Sequence, residues 1–156
     1  MKLLSKPPRI KVLEAAGALG DRRIDILSET EAVVRSSMGD KEYRVVLIES
    51  NTNTFRAYSN DNGTVFRGYV GYPIVAFMMA KDILPVDNEV TRAVSGIPWK
   101  DLNERYKKYS IVENIVLSRA EKLGVSRAVI DEYINVVLKK MSFIKIYFDE
   151  TLSRGE

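Results

Sequence analysis

The chain has 156 residues, of which 46% are hydrophobic and 29% are charged, with a formal net charge of +3. This profile predicts one globular domain over residues 1–156 and excludes a disordered or membrane-spanning chain. Since there is no Cys and no His, disulfides, thiolate and imidazole chemistry and the commonest metal ligands are excluded. We therefore expect no metal, no cofactor, no membrane partner and a cytoplasmic location, and the composition disfavours an enzyme.

The sequence predicts a short helix first and strands after it. Pro7 and Pro8 can open the helix, because proline at the first helical position loses no hydrogen bond, and Gly20 can end it. Alternating and β-branched residues then predict about five short antiparallel strands, near residues 24–26, 32–34, 43–48, 55–58 and 64–70. These segments make up a β-rich part over about residues 1–72.

Polar clusters between the predicted strands indicate tight turns. They lie at residues 38–41, 51–54 and 60–63. Asn62-Gly63 is a strong hairpin signal, because a type I′ turn needs positive φ at both central positions. The three strands around the last two turns are therefore predicted to form hairpins.

A helical part is predicted over about residues 73–156. It opens with a helix from Pro73 to about Leu84 that has no polar face for two turns, which predicts burial on all sides. Asp87 caps a short helix, Pro98 opens another, and residues 111–122 and 126–141 form two more. Residues 143–148 fit either a last edge strand or an extension of the preceding helix. The fold class is therefore α+β, with an antiparallel β-meander of about five strands packed on a buried helix and a helical C-terminal lobe.

Residues 117–135 resemble a DNA-binding helix-turn-helix. Ala120 lies four residues before Gly124, Ser126 opens the second helix, and Ile130 and Tyr133 supply its inward face. In that motif a small residue permits close crossing, a glycine makes the turn and apolar residues dock the second helix. The resemblance implies nucleic-acid contacts from four side chains, Arg119, Lys122, Ser126 and Arg127. An ordinary corner between two helices remains the alternative interpretation.

A second candidate site lies where the chain enters the buried helix. The segment Arg67 to Pro73 carries two glycines, an arginine and two tyrosines. Free N–H groups at the helix start near Pro73 can hold an anion, and Arg67 adds charge. Arg67, Gly71 and Tyr72 are therefore the predicted anion-binding residues, although glycines that merely allow close packing explain the pattern too.

Three hypotheses about function follow. The first is a non-catalytic binding protein that contacts nucleic acid through residues 117–135. The second is a protein–protein interaction or homo-oligomeric assembly module, in which residues 143–148 pair edge to edge. The third is a small-anion or ligand-binding protein, or an enzyme, that uses Arg67 and the helix start at Pro73. The basic balance fits either nucleic-acid binding or solubility, and abundant Lys, Arg and Glu would also suit a thermophile.

Overall fold

A six-stranded sheet forms one side of the molecule in the computed structural model, which describes residues 1–154. The strands are β1 (Lys2–Leu3), β2 (Ile24–Ile26), β3 (Glu31–Arg35), β4 (Glu42–Asn51), β5 (Thr54–Ser59) and β6 (Lys145–Phe148). Their order is β1-β6-β5-β4-β3-β2. All neighbours are antiparallel except β5 and β6, which run parallel.

Strands β2 to β5 form the predicted antiparallel meander. The predicted turns at residues 38–41 and 51–54 join β3 to β4 and β4 to β5. Gly39 has φ +75° in the first of these turns, a conformation that glycine adopts without strain. Burial alternates along β3 and β5, so one face of the sheet turns its apolar side chains towards the helices.

Six helices follow the pattern that the sequence indicates. They are α1 (Arg9–Gly20), α2 (Tyr72–Ala80), α3 (Asn88–Ala93), α4 (Trp99–Tyr106), α5 (Tyr109–Lys122) and α6 (Arg127–Met141). Helix α2 contacts β3, β4 and β5, and all its residues from Ile74 to Met79 are at most 1% exposed. The prediction of a helix buried on all sides is therefore confirmed, as is the α+β fold class with its helical C-terminal region.

Helix α1 connects the sheet side of the molecule to the helical part. It packs against α2, α3 and α6. A Cβ atom at Gly17 would lie 2.7 Å from Nε1 of Trp99, so the glycine lets the indole of α4 pack closely on α1. Trp99 is 3% exposed, so its side chain is part of the hydrophobic core. Among the helices within residues 1–154, none is long and apolar enough to cross a membrane.

The strand predicted at residues 64–70 and the hairpin at residues 60–63 are wrong. A five-residue π-helical turn, Gly63–Arg67, occupies this place. The reason is Asp61, whose carboxylate accepts hydrogen bonds from the backbone N–H and the hydroxyl of Thr64. Capping by this side chain favours a helical turn over a type I′ hairpin.

The C-terminal segment forms a strand, β6, but β6 is not an edge strand. It lies between β5 and β1, and β1 pairs Lys2 with Phe148 and Leu3 with Tyr147. The edge-to-edge pairing proposed for residues 143–148 therefore loses its free edge, because the N-terminal strand already covers it. Homo-oligomeric assembly by another surface stays a prediction.

Candidate functional site

A cleft of about 620 Å³ opens between the helical part and the segment that precedes α2. We call it the central cleft. Its lining comes from α1, the β3–β4 turn, β4, the segment 61–72, α4 and the start of α5. The volume falls within the range of small-molecule sites, roughly 300–1,000 Å³. The lining residues used below are Lys11, Glu14, Lys41, Tyr43, Arg67, Tyr69, Tyr72, Lys100, Asn103, Lys107 and Tyr109.

The floor of the central cleft is a buried polar cluster. The Lys11 ammonium lies 3.0 Å from Oε2 of Glu14, and the two side chains are only 13% and 5% exposed. The amide nitrogen of Asn103, from α4, donates to the same carboxylate oxygen at 3.2 Å. Burial lowers the pKa of Lys11, but the Glu14 carboxylate outweighs it with help from Tyr109 and Asp61, so the net pKa is raised. Lys11 is therefore charged and paired.

Two acceptor atoms at this floor are left without partners. Oε1 of Glu14 takes part in no hydrogen bond among residues 1–154, since both donors go to Oε2. Oδ1 of Asn103 is buried and has no hydrogen-bond partner within that same range. An unpaired buried acceptor costs about 1–3 kcal/mol. Because Oδ1 of Asn103 lies beside the central cleft, it can accept a hydrogen bond from a ligand.

Four tyrosines form the walls of the central cleft. The hydroxyls of Tyr69 and Tyr109 lie 3.3 Å apart, and the ring of Tyr43 meets that of Tyr72 edge to face at 6.0 Å. Burial raises the pKa values of Tyr43, Tyr69 and Tyr72 above their usual range, and for Tyr69 the bond to Tyr109 adds to the rise. These hydroxyls therefore stay protonated at neutral pH and can both donate and accept.

The rim of the central cleft is basic. Lys41, Arg67 and Lys107 are exposed and form no ion pair inside the described part of the chain. Lys100 differs, because it is bonded to Asp40. Lys107 caps the C-terminus of α4 with φ +58°, a left-handed conformation that costs a non-glycine residue about 1 kcal/mol. The rim therefore offers cations that a ligand anion can reach.

The segment between β5 and α2 is held by a buried carboxylate. Asp61 accepts from the hydroxyl of Ser59 at 2.6 Å and from Thr64 twice, at 3.0 Å and 2.9 Å. The Thr64 hydroxyl in turn accepts from the N–H of Gly71 at 3.0 Å. This network fixes the path of the chain on both sides of Tyr69, and with it one wall of the central cleft.

The structure places the predicted anion-binding residues at the same end of α2, in different roles. Arg67 and Tyr72 both line the central cleft. Gly71 is buried, and its N–H is already used by Thr64. A Cβ atom at Gly71 would lie 1.9 Å from Oδ2 of Asp61, so this glycine makes room for an internal carboxylate. Anion binding by Arg67 and Tyr72 remains a proposal.

The helix-turn-helix candidate has the predicted local geometry. Helices α5 and α6 flank a turn in which Gly124 has φ +88°. Ser126 caps α6 by accepting from the N–H of Val129 at 3.3 Å. Arg119 donates to the carbonyl oxygen of Ala93 at 3.0 Å, at the end of α3. Arg119 thus joins α5 to α3, and Ser126 stabilises the first turn of α6.

Arg127 also bonds within the fold, whereas Lys122 is exposed with no ion pair among the residues that the structure covers. Arg127 donates to Oγ of Ser118 at 2.6 Å and to Oε1 of Glu121 at 3.0 Å. Nucleic-acid contact by Arg119, Lys122, Ser126 and Arg127 stays a prediction. All of these except Lys122 form intramolecular hydrogen bonds.

Arg127→Ala tests this structural role. We expect the free energy of unfolding to fall by about 1 kcal/mol, because two hydrogen bonds between α5 and α6 are lost. Urea unfolding followed by circular dichroism measures the change. Lys122→Ala is the matched control and should stay within about 0.5 kcal/mol of wild type. An Arg127 variant as stable as this control contradicts the role.

Sequence reasoning missed the floor of the central cleft. Glu14 is the single charged residue between Val12 and Ala18, a stretch that is otherwise apolar or glycine. A lone carboxylate in such a run indicates a buried polar group, so this signal was available. Asn103 carries no comparable signal, because several of its neighbours on α4 are also polar or charged, namely Asp101, Glu104 and Arg105. No metal centre accompanies the floor: no group of three or more Asp or Glu side chains within the described portion is close enough to hold an ion.

Comparison with known proteins identifies a family. A family model described as "Uncharacterised conserved protein UCP014422" matches residues 4–147. No curated protein matches the chain, and no solved structure does.

Proposed function

The chain belongs to the family of uncharacterised conserved protein UCP014422, and we propose that it binds an anionic small molecule with a planar ring in the central cleft. The observation that carries this proposal is the floor, where a buried Glu14 has one carboxylate oxygen free beside an unpaired Asn103 oxygen. Burying charged and polar groups lowers stability unless they are paired and hydrogen-bonded. A ligand that donates to the free oxygens would offset this cost.

The walls support a planar ring. Tyr43, Tyr69, Tyr72 and Tyr109 offer large apolar surfaces with hydroxyls at their tips. Aromatic side chains favour other rings in offset or edge-to-face contact, worth about 0.5–1.5 kcal/mol beyond the area they bury. A flat, unsaturated ligand gains from several such contacts at once, whereas a compact aliphatic one does not.

The rim supports a negative charge on the ligand. Lys41, Arg67 and Lys107 approach the mouth without carboxylate partners in residues 1–154. Glu104 also lines the mouth, so three unpaired cations face one carboxylate there. Hydrogen bonds from arginine or lysine to phosphate are about twice as strong as neutral ones. A phosphate or carboxylate attached to the ring therefore fits this position.

Thermal unfolding in the presence of nucleoside monophosphates tests the proposal. A ligand at about 100 times its dissociation constant adds about 2.7 kcal/mol of stability, which for a chain of this size raises the melting temperature by roughly 5–10 °C. Ribose 5-phosphate and the uncharged nucleosides should each give a smaller rise, because each engages only part of the central cleft.

Two rim variants make this experiment specific. Arg67→Ala and Lys107→Gly should each weaken binding by about 10-fold or more, since each removes one charge-assisted hydrogen bond. Lys107→Gly should not destabilise the unliganded protein, because glycine relieves the left-handed strain at this position. Lys122→Ala, outside the central cleft, should bind as wild type does. A panel without any shift, or an equal loss in Lys122→Ala, contradicts the proposal.

A further inference from the structure

We propose that the floor of the central cleft selects a ring edge with two neighbouring N–H donors, so that the ligand is a guanine nucleotide. This inference rests on the proposed function and adds the identity of the ring. It follows from which floor atoms are already bonded and which are free.

Two free polar atoms at the floor are acceptors, Oε1 of Glu14 and Oδ1 of Asn103, while Nε1 of Trp99 in the same lining is a buried donor without a partner within residues 1–154. Oε2 of Glu14 is taken by Lys11 at 3.0 Å and by the Asn103 amide nitrogen at 3.2 Å. Because that nitrogen is committed to the carboxylate, the amide oxygen is left over, and it is buried without a partner. Oε1 of Glu14 and Oδ1 of Asn103 therefore belong to two groups joined by one hydrogen bond, and both require donors.

The Watson–Crick edge of guanine supplies such donors, an N1–H beside a 2-amino group. N1–H binds Oε1 of Glu14, and the Asn103 amide turns about its bond to Glu14 so that Oδ1 meets the 2-amino group. Adenine presents a ring-nitrogen acceptor next to its amino group, and this acceptor would face a carboxylate oxygen. Unpaired or opposed polar atoms in a desolvated site are what give strong discrimination between similar ligands.

The rest of the ligand fits the charge of the site. Lys11 neutralises Glu14, so the floor carries no net charge and suits a neutral base. The tyrosine walls contact the faces of the base, and the cations at the rim, Arg67 and Lys107 among them, take the 5′-phosphate. A cationic ring or an amine is disfavoured, because the unpaired rim charges are positive.

Isothermal titration with three monophosphates tests the inference. Guanosine 5′-monophosphate carries both donors, inosine 5′-monophosphate keeps N1–H but lacks the amino group, and adenosine 5′-monophosphate reverses the pattern. We expect the guanine nucleotide to bind about 10- to 100-fold more tightly than the inosine nucleotide, as for one hydrogen bond to a charged or buried acceptor. The adenine nucleotide should bind no better than ribose 5-phosphate.

Asn103→Ala is the matching variant, because it removes the Oδ1 acceptor, together with the amide donor to Oε2 of Glu14, and keeps the Lys11–Glu14 pair. It should bind the guanine and inosine nucleotides with similar affinity, while ribose 5-phosphate binds as it does to wild type. Equal binding of all three nucleotides to wild type, or tighter binding of the adenine nucleotide, overturns the guanine assignment and leaves the anion cleft intact. Absence of binding by all the nucleotides and by ribose 5-phosphate overturns both proposals.

Discussion

Lys11→Met should lower the free energy of unfolding by about 3 kcal/mol, because it leaves the Glu14 carboxylate buried without its cationic partner. The two side chains are 13% and 5% exposed, so water from the central cleft replaces the lost ammonium only in part. Methionine keeps most of the volume of lysine, and the effect is therefore electrostatic. Urea denaturation followed by circular dichroism at pH 7 gives the change directly.

Two further variants separate the electrostatic effect of Lys11→Met from its other effects on stability. Lys139→Met, on the exposed side of α6, should stay within about 0.5 kcal/mol of wild type. The double variant Lys11→Met with Glu14→Leu should recover most of the loss, since an apolar pair of similar volume replaces the ion pair. If Lys11→Met is no less stable than Lys139→Met, the floor is hydrated and the buried-pair description is wrong.

The same pair gives an alkaline dependence of stability. The pKa of Lys11 is raised above its ordinary value of 10.5 in the folded chain. The stability that the pair supplies is therefore present below pH 10.5 and is lost as the pH rises through the higher folded-state pKa. Lys11→Met should show a shallower decline over this range than wild type.

Asp61→Ala should be destabilised by about 3 kcal/mol as well, for a different reason. The carboxylate accepts three hydrogen bonds from Ser59 and Thr64, and it is 6% exposed. Its removal leaves buried donors without acceptors, and the π-helical turn loses its cap. Glu132→Ala, an exposed carboxylate on α6, is the control in the same denaturation experiment.

Gly71→Ala should perturb the same network from the other side. The added Cβ would lie 1.9 Å from Oδ2 of Asp61, so either the carboxylate or the start of α2 must move, at about 2 kcal/mol or more. Combining Gly71→Ala with Asp61→Ala should be less harmful than the sum of the two, because the clash disappears with the carboxylate. Full additivity would mean that the two residues act separately.

Local signals predicted most of the secondary structure. The meander of β2 to β5 follows from alternating residues and polar turns, and α2 follows from an apolar run too short for a membrane. The error at residues 60–70 has a physical cause that local pattern cannot reveal. Asn62-Gly63 favours a hairpin. The hydrogen bonds that the buried Asp61 carboxylate accepts from Thr64 stabilise a helical turn instead. The parallel pairing of β5 with β6 depends on contacts between distant segments.

The candidate site was predicted only at one rim residue and one wall residue. Arg67 and Tyr72 stand out because glycines surround a helix start, and both line the central cleft. Glu14 gave a readable signal as a charge inside an apolar run. Asn103 gave none, since its role appears only when α4 packs against α1. The helix-turn-helix spacing describes how α5 and α6 cross, which is a packing property that many helix pairs share.

The hydrogen bond between Glu14 and Asn103 joins positions 89 residues apart. Contacts of such long range form after local ones. The conformational entropy of closing a long loop is lost before the contact can stabilise the chain. We therefore expect the floor of the central cleft to form after the local β2–β5 meander, when α4 docks onto α1. An intermediate with native-like secondary structure would not yet bind the proposed nucleotide.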